Sequence, residues 1–210
     1  MHGNSARLPA RQINITMHKL TLLFLLIGLA ESLAAESKFA PTDWPNWRGL
    51  TSDGQALFVD GLPTEWSETK NIVWRTPIPG RGHSTPTVVG DRIYLATADE
   101  DEMFQAVLCI DKANGKVVWQ TKVHEGQFAI GLNKNASHAG TAVVHDGERL
   151  FVNFVIGNQA YATAISLSGK ILWQKPIGKY KVHQGYGSSP MVYRNCLLYT
   201  SPSPRDLSTS

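Results

Sequence analysis

From Trp74 onward the chain alternates short apolar runs with polar, glycine-containing turns, and no stretch sustains the period of an amphipathic helix. The runs fall into units. A small-residue step leads into a first strand at Ser84–Val89, Ala139–Val144 and Ser188–Val192. A polar turn, Gly90-Asp91 or Asp146-Gly147, precedes a second strand at Arg92–Ala96 and Arg149–Val152. A third strand follows at Gln105–Ile110 and Ala160–Ile165, and a tight turn on Asn114-Gly115 or Ser168-Gly169 opens a fourth through Lys-x-x-Trp. The pattern predicts four antiparallel strands per unit, with turn residues at each joint.

The units are copies of one another. Three Trp-led phrases, Trp74-Arg-Thr-Pro-Ile78, Trp119-Gln-Thr-Lys-Val123 and Trp173-Gln-Lys-Pro-Ile177, stand 45 and 54 residues apart. A four-stranded repeat of that length predicts an all-β fold, a β-propeller of four-stranded blades. A β-sandwich would not repeat its turns and tryptophans in register. In Cys109–Trp119, Asp111 can accept backbone amides across the turn and Gly115 supplies a position of positive φ. The small Cys109, and Ala164 in the next unit, leave room for a ring of a neighbouring blade. Trp74, Trp119 and Trp173 then bury large faces between blades, each indole N–H finding a backbone carbonyl, with Gly169 at the second turn. Loss of one such ring is expected to cost about 3–5 kcal/mol.

The two ends read differently. Leu20–Ala30 is an uncharged apolar stretch behind Met17-His18-Lys19, too short to span a bilayer, and Ser32-Leu33-Ala34 gives the small residues of a cleavage site. Residues 1–35 are therefore expected to be a signal-peptide region, with Met17 as a candidate start. The mature chain is then periplasmic or secreted and holds no transmembrane span. At the other end, Cys196–Asp206 reverse-translates in one frame into a sequence resembling a transposon-based sequencing adapter. Residues 196–210 are accordingly expected to be a non-native tail, although Cys196-Leu-Leu-Tyr-Thr200 also sits where Arg92–Leu95 sits in the earlier repeat. On this reading residues 36–195 form about three blades, an open arc of poor solubility on its own.

Composition adds exclusions. The formal net charge is +3, of which the first 35 residues hold +2, so the body has no basic footprint for nucleic acid. Two cysteines exclude a disulfide framework and zinc sites built on paired Cys-x-x-Cys. No Gly-x-Ser-x-Gly, His-Glu-x-x-His or Gly-x-Gly-x-x-Gly occurs. Candidate ligand residues are Arg81, His83, His138 and His183, which precede innermost strands and so fall at the channel mouth. The histidines do not share one register, and hydrogen bonds to loop carbonyls are their ordinary role. Gly185-Tyr-Gly187 reads as a flexible loop rather than a phosphate cradle, since no helix follows it. Asp99–Glu102 reads as a solvated turn, and Asn135-Ala-Ser137 matches a glycosylation sequon.

Cys109–Trp119 resembles the tryptophan-docking phrase of the quinoprotein propellers, Ala-x-Asp-x-x-Thr-Gly-Lys-x-x-Trp. Its second copy, Ala164–Trp173, is one residue shorter and carries Ser166 in place of the Asp. Asp43-Trp-Pro-Asn-Trp-Arg-Gly49, Leu62–Trp66 and Asn71–Trp74 resemble the opening of PQQ-binding-like repeat proteins, a family that includes BamB-like scaffolds and PQQ-dependent alcohol dehydrogenases. The resemblance implies seven or eight blades in the whole propeller. It also implies one of two functions: a ligand- or protein-binding scaffold of the cell envelope, or a PQQ- and Ca²⁺-dependent oxidoreductase whose catalytic blades lie beyond this segment. The first is preferred, because no acidic base, calcium-ligand set or vicinal cysteine pair is visible.

Overall fold

The computed structural model describes residues 37–57, 60–126, 128, 130–181, 184–194 and 196–199. The leader, His183 and the segment after Tyr199 lie outside the described residues. All ten strands belong to the unit that begins at Lys38. They are β1 (Thr87–Val89), β2 (Arg92–Asp99), β3 (Phe104–Asp111), β4 (Val117–Glu125), β5 (Val144–His145), β6 (Arg149–Ile156), β7 (Gln159–Ser166), β8 (Ile171–Lys179), β9 (Met191–Tyr193) and β10 (Cys196–Leu198).

These strands form two four-stranded antiparallel meanders, β1-β2-β3-β4 and β5-β6-β7-β8, followed by the hairpin β9-β10. Each meander is one blade. The blades repeat even in their irregularities: the ladder slips between Cys109 and Ile110 in the first and between Ala164 and Ile165 in the second. Both slips prepare the tight turn into the outermost strand. The first strand of the second blade is confined to Val144–His145, shorter than the expected run from Ala139, because Ala139–Ala142 spend their backbone on neighbouring loops instead. His83 N donates to Ala139 O at 2.8 Å, and Ala142 N donates to Ser189 Oγ at 2.9 Å. Cys196–Leu198 pairs with Met191–Tyr193 as a second strand of the third unit.

The core lies between the blades. Tyr94, Ala96, Ala98, Val107, Cys109 and Val123 of the first sheet form one buried cluster with Ala139, Val143, Leu150, Val152, Phe154 and Ile165 of the second. The alternating positions Tyr94, Ala96 and Ala98 share one face of β2, as period two requires. Small residues on that face let the sheets approach closely. The middle strands β3 and β6 are buried almost from end to end, as expected of strands covered on both faces. Outer strands β4 and β8 expose much of their length.

The opening segment is pinned at its start and loose further on. Trp44 pairs with Val88 across two backbone hydrogen bonds, and Asp43 Oδ1 accepts Gly90 N at 2.9 Å. Past Gly61 the segment lies exposed, with Trp66 at 70% and Val73 at 88% of their full accessibility. Trp74 anchors it again on the first blade.

Candidate functional site

Two sets of residues carry the geometry of interest, one at the blade joints and one at the channel mouth. At the joints, Trp74 Nε1 donates to Lys112 O at 2.9 Å, and Trp119 Nε1 donates to Leu167 O at 3.0 Å. Thr76 Oγ1 donates to Gly115 O and Thr121 Oγ1 to Gly169 O, so each Trp-x-Thr phrase clasps the turn of the following sheet twice. Gly115 (φ 72°) and Gly169 (φ 88°) are needed for backbone and for space. A Cβ on Gly115 would stand 2.5 Å from Trp74 Cε3, and one on Gly169 would stand 2.8 Å from Trp119 Cδ2.

Within each blade a cross-strand row supports the ring. Tyr94 pairs with Cys109 and Cys109 with Trp119; Phe151 pairs with Ala164 and Ala164 with Trp173. The ring beside Cys109 is thus Trp119 of its own sheet, while the neighbouring Trp74 reaches the turn at Lys112 and Gly115. Aromatic centroids across these rows are 6.1 and 6.0 Å apart. Burial pushes the Cys109 thiol up to about 11 and the Tyr94 hydroxyl up to about 12, so both stay neutral packing groups. Asp111 Oδ1 accepts the amides of Ala113 and Asn114 at 3.0 and 3.3 Å, and its Oδ2 accepts Arg92 Nη1 at 2.7 Å. The Arg92 hydrogen bond, helped by the turn amides, holds the carboxyl below its usual range. In the second blade Ser166 Oγ accepts Lys170 N instead, and Arg149 turns to Asp146.

At the other set, the three innermost hairpins align in one register: Thr87 opposite Tyr94, Val144 opposite Phe151, Met191 opposite Leu198. The residues at one position ahead of these strands are His83, Gly140 and Gly187. All three line a single cavity of about 300 Å³ with Asn135, Ala136, Ser137, Gln184, Gly185 and Tyr186. Three consecutive repeats bring the same position to one place, as blades arranged around a shared axis require. His83 Nδ1 and Ser137 Oγ are hydrogen-bonded at 2.9 Å across this space.

The remaining candidates divide. Arg81 is committed elsewhere, its Nη2 donating to Lys134 O at 2.8 Å. His138 stacks on Phe128 at 4.4 Å, with its proton affinity lowered by burial, and lines a smaller cavity of about 10 Å³ shared with Ser137, Asn153, Gly185 and Tyr186. His138 is therefore not with His83 in the larger cavity. His183 is outside the described residues. Among those residues, no group of three or more His, Cys, Asp or Glu could hold a metal ion. The larger cavity has neither a cationic side chain to meet the carboxylates of PQQ nor a carboxylate to bind Ca²⁺, so its lining does not fit that pair.

Sequence reasoning passed over Asn135, Ser137, Gly140, Gln184 and Asn153. The available signal was the position ahead of each innermost strand, where a histidine in one unit aligns with glycines in the next two.

Repeated four-stranded blades, joined by tryptophans docked on glycine turns, define a PQQ-like β-propeller repeat protein. Residues 37–202 match the family model described as outer membrane protein assembly factor BamB, and the chain belongs to that family. No curated protein matches the chain.

Proposed function

We propose that this protein is an extracytoplasmic binding scaffold, exported by the leader around Leu20–Ala30, which holds a protein or small ligand on its blade faces and channel mouth. The observation that carries this reading is the doubly clasped joint. The same Trp-x-Thr phrase locks each described blade to the preceding segment through backbone acceptors, and this geometry fits a rigid platform. The BamB-type family supports protein binding in the cell envelope as its role. A PQQ- and Ca²⁺-dependent oxidoreductase is the competing reading, and the lining of the cavity speaks against it in this segment.

The test uses the whole protein as its own cells make it. Cell fractionation should find it outside the cytoplasm, and photo-crosslinkers on exposed positions of β4 and β8 should yield discrete adducts with envelope proteins. After incubation with PQQ and Ca²⁺, dye-linked oxidation of primary alcohols should stay at the background level. Turnover above background would overturn the scaffold reading in favour of the oxidoreductase.

A further inference from the structure

We infer that the cavity between His83, Ser137 and Gln184 takes a small neutral ligand rich in hydroxyl groups, of the monosaccharide or polyol class. The inference deepens the scaffold reading and rests on it. The lining contains no Lys, Arg, Asp or Glu. A charged ligand entering it would give up water without gaining an opposite charge. What the lining does offer is paired hydrogen-bonding capacity. Asn135 and Gln184 each carry an amide that both gives and takes, Ser137 carries a hydroxyl, and His83 an imidazole. A hydroxyl group likewise donates one hydrogen bond and accepts others, so neighbouring hydroxyls on a ring match this set.

A second observation comes from behind the cavity. Asn153 is fully buried on β6, and its Oδ1 has no hydrogen-bond partner. Its Nδ2 donates to Ser188 O at 3.3 Å, which fixes the amide and leaves the carbonyl as the open group. Asn153 lines the small recess that shares Ser137, Gly185 and Tyr186 with the larger space. The recess has room for about one water or one ligand hydroxyl, and either supplies the donor that this acceptor lacks. The main cavity, about 300 Å³, sits at the lower end of small-molecule sites and suits a single ring rather than a chain.

Gly187 offers a clean perturbation. A Cβ there meets no atom within 4 Å, and its φ lies outside the left-handed region, so Gly187→Leu fills the cavity without backbone strain. Gly140 and Gly185 are poorer choices, because a Cβ would stand 3.0 Å from Tyr186 O and 3.1 Å from Ser137 O. The experiment is saturation-transfer NMR and titration calorimetry on the full chain. D-glucose, D-galactose and myo-inositol are the neutral probes, with D-gluconate as the anion and D-glucosamine as the cation.

At least one neutral probe should bind in preference to both charged ones. Binding should weaken about tenfold or more in Gly187→Leu, with an unchanged unfolding midpoint. Gln184→Ala, which alters only an exposed amide, should weaken it as well and stands in if the leucine variant fails to fold. Preference for gluconate or glucosamine, no neutral binding, or variants that bind as the parent does would each overturn the inference. Oxidation of a bound sugar would retire the scaffold reading and leave the site standing. Envelope crosslinks without sugar binding would do the reverse.

Discussion

Replacing Gly169 by Ala tests whether the blades are joined by tryptophan docking or merely touch. Two costs are involved, and a second glycine separates them. Gly90 (φ 55°) sits in the β1–β2 turn, where an added methyl would meet nothing within 4 Å, so Gly90→Ala reports the backbone cost alone. That cost is about 1–2 kcal/mol for a left-handed L-residue. The restricted unfolded chain offsets about 0.4–1 kcal/mol of it. Gly169→Ala carries the same cost and adds a methyl 2.8 Å from Trp119 Cδ2 and 3.0 Å from Thr121 Oγ1. Carbon atoms rest at about 3.5–4.0 Å, so the indole must back away by roughly 1 Å. The move strains the Trp119–Leu167 and Thr121–Gly169 hydrogen bonds, each worth about 0.5–1.5 kcal/mol. Gly169→Ala should therefore cost about 2–3 kcal/mol more than Gly90→Ala.

The assay is urea unfolding followed by tryptophan fluorescence, with the slope required to match the parent. A Trp119→Leu background makes the attribution strict. With the ring gone the methyl meets nothing, so the penalty of Gly169→Ala should shrink toward that of Gly90→Ala, a coupling of about 2 kcal/mol. Equal penalties at Gly169 and Gly90, or no coupling to Trp119, would refute the docking account.

Other outcomes follow from the same geometry. Trp119→Ala should cost about 3–5 kcal/mol, whereas Trp66→Ala, on an exposed ring, should stay within about 0.5 kcal/mol by the same unfolding measurement. His124 lies buried against Phe154 and Tyr161, and burial pushes its pKa down to about 4. Below about pH 6.5 the unfolded chain takes up a proton that the folded one refuses, so stability is full above that pH and falls toward pH 4. The loss should reach about 2–3 kcal/mol and be reduced in His124→Phe, with His138 and His145, also lowered by burial, leaving a residual slope. Cys109, buried with its thiol pushed up to about 11, should resist a disulfide reagent until urea unfolds the chain, while exposed Cys196 reacts at once; a colorimetric thiol titration reads both.

The blades were legible because their determinants are local. Turn residues such as Asn114-Gly115 and Ser168-Gly169, period-two apolar runs, and a tryptophan closing each unit announce strands without help from distant sequence. The channel-mouth cavity was harder to see because its residues share an address in the repeat rather than a chemistry. His83, Gly140 and Gly187 have nothing in common as side chains, and Asn153 hides in a strand that reads as plain core. The histidines drew attention by type, yet His138 went to a stack on Phe128 and Arg81 to a carbonyl of the 134 loop. The shortened β5 was equally invisible, since Ala139–Ala142 look apolar but give their backbone to loops of the units on either side.

Joints that are copies of one another imply a stability built from neighbour terms, in which each clasp supports the adjacent blade and no other. The third copy breaks that regularity. Trp173 keeps the ring, but Lys175 stands where Thr76 and Thr121 supply the hydroxyl donor. A turn docked on Trp173 would thus be held by one clasp where its predecessors have two. By this reasoning the joint after the second blade is the weakest of the three. It flanks the loop that brings Gln184–Gly187 to the cavity, so the part of the mouth best able to adjust to a ligand belongs to the third unit. His83 and Ser137, each carried by a unit with a full clasp, form its fixed wall.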